Sequence, residues 1–292
     1  MSPIFGAGLS TLKPTYVRPT FKANESWDLD GTNDYINFGN SSSIKLSDTD
    51  TSEAIGITVH AWVKLDDYTV TGKTQSIVHC YEYPGGWHYG FTNTRAYVTV
   101  RTTGAARSFE TGWRTFSDSS GNAGTSPHYR ASGWHQLAFT YDGRYIKLYI
   151  DGGLAGSGTN TYDAGSDDNI IQYGTGNDNT DVLIGADPGH LNSSHDSGSA
   201  TGVSSFLSGL VNEVAIWNKA LDGDAIQEIF DSVDDGNGVL DLTLDYGNYD
   251  YSNDLVALWR GNEADGNTVT DEIGSNPGTL ANGTAYSSTT PS

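Results

Sequence analysis

The alternation of apolar and polar side chains is clearest over residues 133–158, GWHQLAFTYDGRYIKLYIDGGLAGSG. Apolar residues recur at every second position on both sides of Asp142-Gly143, a dipeptide that favours a two-residue hairpin because both central positions take positive φ. Such a turn predicts Leu137 opposite Leu148, Phe139 opposite Ile146 and His135 opposite Ile150 on an apolar face. The other face then pairs Trp134 with Asp151, Gln136 with Tyr149 and Ala138 with Lys147. A slip of one residue would turn the apolar face to solvent, so the alternation fixes which face is inside. Asp151-Gly152-Gly153 supplies a second turn, and the segment reads as a three-stranded antiparallel meander.

The same period of two recurs in short runs at Ser26 to Asp30, Asp34 to Phe38, Ile55 to Leu65, Ser76 to Tyr81, Trp87 to Thr92, Tyr97 to Thr102, Val182 to Gly185 and Leu210 to Trp217. No strand alternates with a helix, which predicts an all-β, two-sheet antiparallel sandwich. One short helix is expected near the C-terminal third: Asp222 caps it, Asp224 lies in its first turn, and Leu221, Ile226, Ile229, Phe230 and Val233 line one side. Its expected place is the edge of the sandwich. Long Gly/Asp/Asn/Ser-rich loops at 117–132, 159–181 and 187–205 carry the features of binding or packing loops. Residues 254–285 hold two further strand patterns, too few to form a core alone, so this segment completes the sheet of the preceding domain and is expected beside the strands near Ser26 to Phe38.

The composition agrees with many short strands joined by turns: 36 glycines and 11% aromatic residues in 292. A formal charge of −21 argues against a nucleic-acid or anionic-membrane partner, since both require clustered Lys and Arg. Residues 1–24 differ, with three prolines, the cations Lys13, Arg18 and Lys22, and no acid before Glu25. They read as an extended arm carrying an assembly contact, ahead of a single domain over residues 25–292. An arm lying on its own body is the alternative. Cys80 is the only cysteine and sits in the apolar run Ser76 to Cys80, so it is expected as a buried thiol. The first residues lack the basic start and apolar core of a secretion signal, which predicts synthesis and assembly in a cytoplasm.

Several of these segments resemble the laminin-G-like, concanavalin-A-like jelly-roll superfamily over roughly residues 26–285. LDGTNDYINFG is similar to its opening strand, ITVHAWVKLDD to a following strand, GWHQLAFTYDGRYIKLYIDGG to its central meander, and FLSGLVNEVAIWNKALDGDAIQEIF to its closing strand and helix. The resemblance implies a jelly roll, in the divergent form found in phage virion and bacterial surface proteins. It also implies a calcium site at Asp30, Asn33 and Asp34 with Asn212 and Glu213. An Asx turn at each is the alternative, and Asn212 stands where the family commonly has Asp. Residues 255–280 resemble the segment that normally precedes the opening strand, as in a circular permutation.

The chemistry of the residues adds two expectations. Hydrolases of this fold carry alternating carboxylates on one strand, and the nearest run here, Glu263-Ala264-Asp265, lacks the second Glu, so no enzymatic activity is expected. A sugar site would combine flat aromatic rings with hydrogen-bonding side chains, as Tyr81, Glu82, Tyr83, Trp87, His88 and Trp113 do near loop ends, although aromatic residues of a sandwich also build cores. The resulting expectation is a non-enzymatic, virion-type structural protein, a capsid decoration or fibre component. Its partners would be assembly proteins through the arm, with a homo-oligomer as one form. A carbohydrate-binding adhesin at a cell surface is the alternative, and a glycan hydrolase the third.

Overall fold

The computed structural model describes residues 17–40, 42–46, 56–66, 74–82, 85–92, 95–100, 111–115, 133–154, 161–163, 171, 181–188, 202–233, 238–263 and 265–291. In chain order they form β1 (Thr20–Phe21), β2 (Ser26–Asp30), β3 (Tyr35–Asn37), the helical turn α1 (Ser42–Lys45), β4 (Ile57–Leu65), β5 (Thr74–Glu82), β6 (Gly85–Thr92), β7 (Arg95–Val100) and β8 (Thr111–Thr115). There follow β9 (His135–Tyr141), β10 (Tyr145–Ile150), β11 (Gly153–Leu154), β12 (Thr161–Asp163), β13 (Leu183–Ile184), β14 (Ser208–Trp217) and the helix α2 (Gly223–Asp231). The chain ends with β15 (Val239–Leu240), β16 (Leu255–Trp259), β17 (Thr268–Val269), β18 (Gly278–Ala281) and β19 (Ala285–Ser287).

Two antiparallel sheets carry the fold, as expected from the alternation. The larger runs β11-β10-β9-β4-β14-β2-β19, with β12 on β10 and β16 on β14, and the smaller runs β17-β18-β3-β13-β5-β6-β7-β8. Their facing sides share one apolar core that includes Trp27, Phe38, Trp87, Tyr89, Phe91, Phe139, Tyr141 and Trp259. Cys80 is buried within it.

The central hairpin keeps the expected faces but not the expected pairs. Phe139 lies opposite Leu148, Leu137 opposite Ile150 and Tyr141 opposite Ile146, a shift of two residues. The cause is the Asp142 carboxylate, which accepts from the backbone N–H groups of both Arg144 and Tyr145 and so holds a four-residue loop. An even shift leaves each side chain on its own face, and Leu137, Phe139, Ile146 and Leu148 remain in the core. The second turn is the two-residue kind: Ile150 pairs with Gly153, and Asp151 and Gly152 have φ of 49° and 75°.

α2 begins as expected, with the Asp222 carboxylate accepting from Ala225 N at 2.8 Å. Its position differs from the expected edge. It lies against the outward side of the larger sheet, where Ala225, Ile226 and Ile229 pack with Ala138, Tyr149, Ala215 and Trp217 in a second core. Alanines at two sheet positions make room for the helix, and Tyr149 and Trp217 supply apolar area beside it.

The last forty residues of the chain enter both sheets. β16 pairs with β14 and β19 with β2 in the larger sheet, while β18 pairs with β3 in the smaller. The C-terminal strands thus lie beside the opening strands of the same chain. Trp259 is fully buried, 4.1 Å from the Phe38 ring, and its indole N–H donates to Asn276 O.

Residues 17–24 rest on the body. β1 pairs with β15, Pro19 O accepts from Asp241 N, and the Phe21 ring is covered at 3.8 Å by the Arg260 guanidinium. Arg18 donates to Asp231 O, lies 3.6 Å from the Glu228 carboxylate and faces the Tyr246 ring. Lys22 is exposed, and Lys13 lies outside the described residues. Among the described residues no helix is long and apolar enough to cross a membrane.

Candidate functional site

The residues expected to hold calcium fall into two separate groups. Asp30, Asn33 and Asp34 form the turn between β2 and β3. The Asp30 carboxylate accepts from Thr32 N at 2.7 Å and Asn33 N at 3.2 Å, bonds that hold its pKa below the usual carboxylate range. Asp34 accepts from Asp30 N, and burial raises its pKa. This is an Asx turn, the alternative left open by the sequence. Asp30 pairs with Ser208, so Asn212 lies four residues further along β14, about 13 Å away at ~3.3 Å per residue.

Asn212 and Glu213 themselves are fitted for other tasks. The Asn212 amide donates to Glu25 O and to Arg260 O, both at 2.7 Å, and so occupies the position where two carbonyl oxygens converge. Glu213 occupies an irregularity in the pairing of β14 with β4, at φ 46°, and is 1% exposed. Neither of its carboxyl oxygens has a hydrogen-bond partner among the described residues. Burial pushes its pKa up to about 8 against the opposing pull of Arg260, so it is a neutral acid at pH 7. Beneath it, burial holds His60 neutral with a pKa of about 4, and its Nδ1–H donates to Glu213 O at 3.0 Å. The Asn212 amide nitrogen is committed to two carbonyls and the Asp30 turn lies apart from it, so the five residues do not form one calcium site. Among the described residues no three His, Cys, Asp or Glu side chains converge as a metal site requires.

The aromatic residues expected to bind sugar are corrected in part. Trp87 is fully buried between the sheets, 6.0 Å from Phe139, and cannot stack on a ligand. Alternation sends His88 to the outward side of the smaller sheet, edge-on to His79 at 4.7 Å and to Tyr97 at 4.8 Å. Tyr83 and the side chains of Tyr81, Glu82 and Trp113 lie outside the described residues. The same outward side holds a serine, histidine and aspartate in sequence: Ser76 Oγ is 3.4 Å from His79 Nδ1, and His79 Nε2 is 3.4 Å from Asp187. The Ser76 hydroxyl is wholly buried, so it cannot meet a substrate carbonyl.

The outward side of the smaller sheet also carries an open cleft of about 450 Å³, lined by Tyr35, Asn37, Gly39, Asp181, Thr279 and Ala281 together with Phe38 and Pro277. Strand order builds it. Thr279 on β18 lies opposite Asn37 on β3, Ala281 opposite Tyr35, and Asp181 leads into β13 on the far side of β3. Ile36, Leu280 and Ile184 point inward between these positions and anchor the floor in the core. The Asn37 amide donates to one Asp181 oxygen at 2.8 Å and accepts from Gly39 N at 2.6 Å, so both side chains are held in place. The cleft therefore presents a half-buried phenol ring, a fixed carboxylate with an oxygen to spare, and the side chain of an exposed threonine. The run LDGTNDYINFG contained the signal that Tyr35 and Asn37 share a face. Nothing local in the sequence linked them to Asp181, 144 residues on.

Comparison with known proteins agrees with this architecture. A family model described as the concanavalin A-like lectin/glucanases superfamily matches residues 30–227, about two thirds of the chain. A "putative carbohydrate binding protein" from Bacteroides ovatus has a similar structure, with a TM-score of 0.53 at 14% identity over 91% of this chain and 60% of that one. Partial likenesses occur to the heptameric SAP-like pentraxin of Limulus polyphemus (TM-score 0.42, 13% identity, 71% and 82% covered) and to the binding domain of botulinum neurotoxin serotype G (0.40, 15%, 60% and 36%). A search of curated proteins finds no match. At 14% identity the Bacteroides protein shares the fold, and the chain spans 60% of its length. With the family model covering the sheets from the first acidic turn to the helix, the chain belongs to the concanavalin A-like lectin/glucanase superfamily.

Proposed function

We propose that the protein is a non-enzymatic, glycan-binding jelly roll whose ligand site is the cleft of Tyr35, Asn37, Asp181 and Thr279. The observation that carries this reading is the fixed Asn37–Asp181 pair beside an accessible aromatic ring on an open sheet face. Sugars are recognised by a few placed hydrogen bonders together with an apolar ring face, which is what this surface presents. The shared fold with a protein named for carbohydrate binding supports it. The carboxylates nearest to a hydrolase pattern have a structural task instead: Glu263 accepts from Thr270 N and ties the loop before β17. The full chain on a glycan array is expected to show saturable binding that Asp181→Ala abolishes. Failure to bind any glycan refutes the proposal.

A second reading concerns where this module is carried. The N-terminal segment holds three cations and no acid, against twelve Lys and Arg and 36 Asp and Glu in the rest of the chain. Opposite charge favours an assembly contact made by that segment, as in a decoration or fibre protein of a virion. Residues 17–24, with Arg18 and Lys22, are part of the body, so the contact is assigned to residues 1–16, which hold one cation, Lys13, and no acid. Deleting those sixteen residues is expected to leave a folded, glycan-binding protein that no longer joins its assembly. Undiminished incorporation refutes this reading.

A further inference from the structure

Resting on the glycan-binding reading, we infer that the cleft takes neutral or amino sugars and excludes sialylated, sulfated and uronate-bearing glycans. Its one charged lining residue among those described is Asp181. One Asp181 oxygen is occupied by the Asn37 amide, and the other is free to accept. The Asn37 amide nitrogen is turned toward Asp181 with one N–H bonded there, and its oxygen receives Gly39 N, so the donor this side chain has left lies beside a carboxylate. A group that donates, as sugar hydroxyls and ammonium groups do, satisfies the second Asp181 oxygen, whereas a carboxylate or sulfate placed there meets like charge.

The chain segments that line the cleft strengthen this. Tyr35 to Gly39 belong to residues 23–44, Asp181 to residues 148–218, and Pro277 to Ala281 to residues 261–292. None of these three stretches contains a single lysine or arginine, while each contains several Asp or Glu. Recognition of an anionic group rests on guanidinium or ammonium donors. The lysine nearest in sequence to a lining residue is Lys45, six residues after Gly39. The neighbouring turn adds the carboxylates of Asp30 and Asp34 to the same end of the sheet. An acidic glycan would thus meet negative charge, with no cation among the described lining residues.

The test compares binding of the full chain to neutral, amino, and sialylated, sulfated or uronate-bearing glycans on one array, with Tyr35→Ala and Asp181→Asn alongside and melting curves as the folding control. The expected result is saturable binding confined to neutral or amino sugars, weakened about tenfold or more in both variants. Saturable binding of an acidic glycan that Tyr35→Ala abolishes overturns the inference and leaves the glycan-binding cleft standing. Binding to no glycan of any class overturns the reading beneath it. Binding that both folded variants retain unchanged places the site elsewhere and overturns both.

Discussion

Asn212→Asp changes one atom type at a buried position, and its consequences follow from two hydrogen bonds. The amide nitrogen now donates to Glu25 O and Arg260 O at 2.7 Å each. A carboxylate there would turn an acceptor oxygen toward both carbonyls. Each buried carbonyl left without its donor costs about 1–3 kcal/mol, and an uncompensated buried charge costs about 3–5 kcal/mol in all. At 2–4 °C per kcal/mol for a chain of this size, the melting temperature is expected to fall by roughly 10 °C in chelator. The same substitution creates what the wild type lacks, an anionic oxygen facing two carbonyl oxygens, so millimolar calcium is expected to restore part of the loss. An ion at a hundredfold excess over its Kd contributes about 2.7 kcal/mol. The wild-type melt is expected to be indifferent to both calcium and chelator. A variant as stable as wild type in chelator, or a wild type that melts lower in chelator, would refute the assignment of Asn212 as a donor that substitutes for a metal.

Three further outcomes are expected. Stability should be level between pH 4.5 and 6.5 and fall on either side: above 6.5 the unfolded chain has released the Glu213 proton, ordinary pKa 4.5, while the folded chain keeps it to about 8, and below 4.5 the unfolded chain holds a His60 proton that the folded chain refuses until about 4. The alkaline limb amounts to about 2 kcal/mol by pH 8, and urea melts of Glu213→Gln should lack it; a limb of equal size in that variant sinks the assignment. Trp87→Ala should lower stability by about 3–5 kcal/mol through a core cavity and leave the glycan affinity of the folded fraction unchanged, as checked by titration below the melting temperature. Ending the chain at Asp254 should give insoluble protein, because β14, β2 and β3 each lose a pairing partner; a soluble monomer with a cooperative melt would contradict this.

The alternation of side chains made the sheets legible, because a period of two distinguishes inside from outside regardless of partner. It could not fix the hairpin register, since Asp142 reaches two backbone donors and holds a four-residue loop that preserves every face. The core was legible in Leu137, Phe139 and Leu148, whereas Trp87 was misplaced among ligand-binding residues. Its position in an alternating run, next to His88, already pointed it opposite to a polar neighbour. α2 was legible in its cap and apolar side, but its seat depended on the small residues Ala138 and Ala215 in distant strands. The cleft was the least legible, since its residues come singly from strands that become neighbours only through the order β18-β3-β13. Asn212 signalled a departure from the family pattern in its identity alone; the amide's two carbonyl partners, from residues 25 and 260, required the fold.

The closure of both sheets by the last strands sets a timetable for the chain as it is made. Tyr35 O accepts from the Thr284 hydroxyl, 249 residues later, and β3 and β2 receive β18 and β19 from the same late segment. At roughly 5–20 residues per second, about 12 to 50 s pass between synthesis of the opening strands and arrival of these partners. Through that interval the edges of β2 and β3 that will receive β19 and β18 offer unpaired N–H and C=O groups to any neighbouring nascent chain. Slower growth at reduced temperature lengthens the exposure, while fewer chains per cell shorten the odds of an encounter, so yield of soluble protein should respond to transcript level more than to temperature.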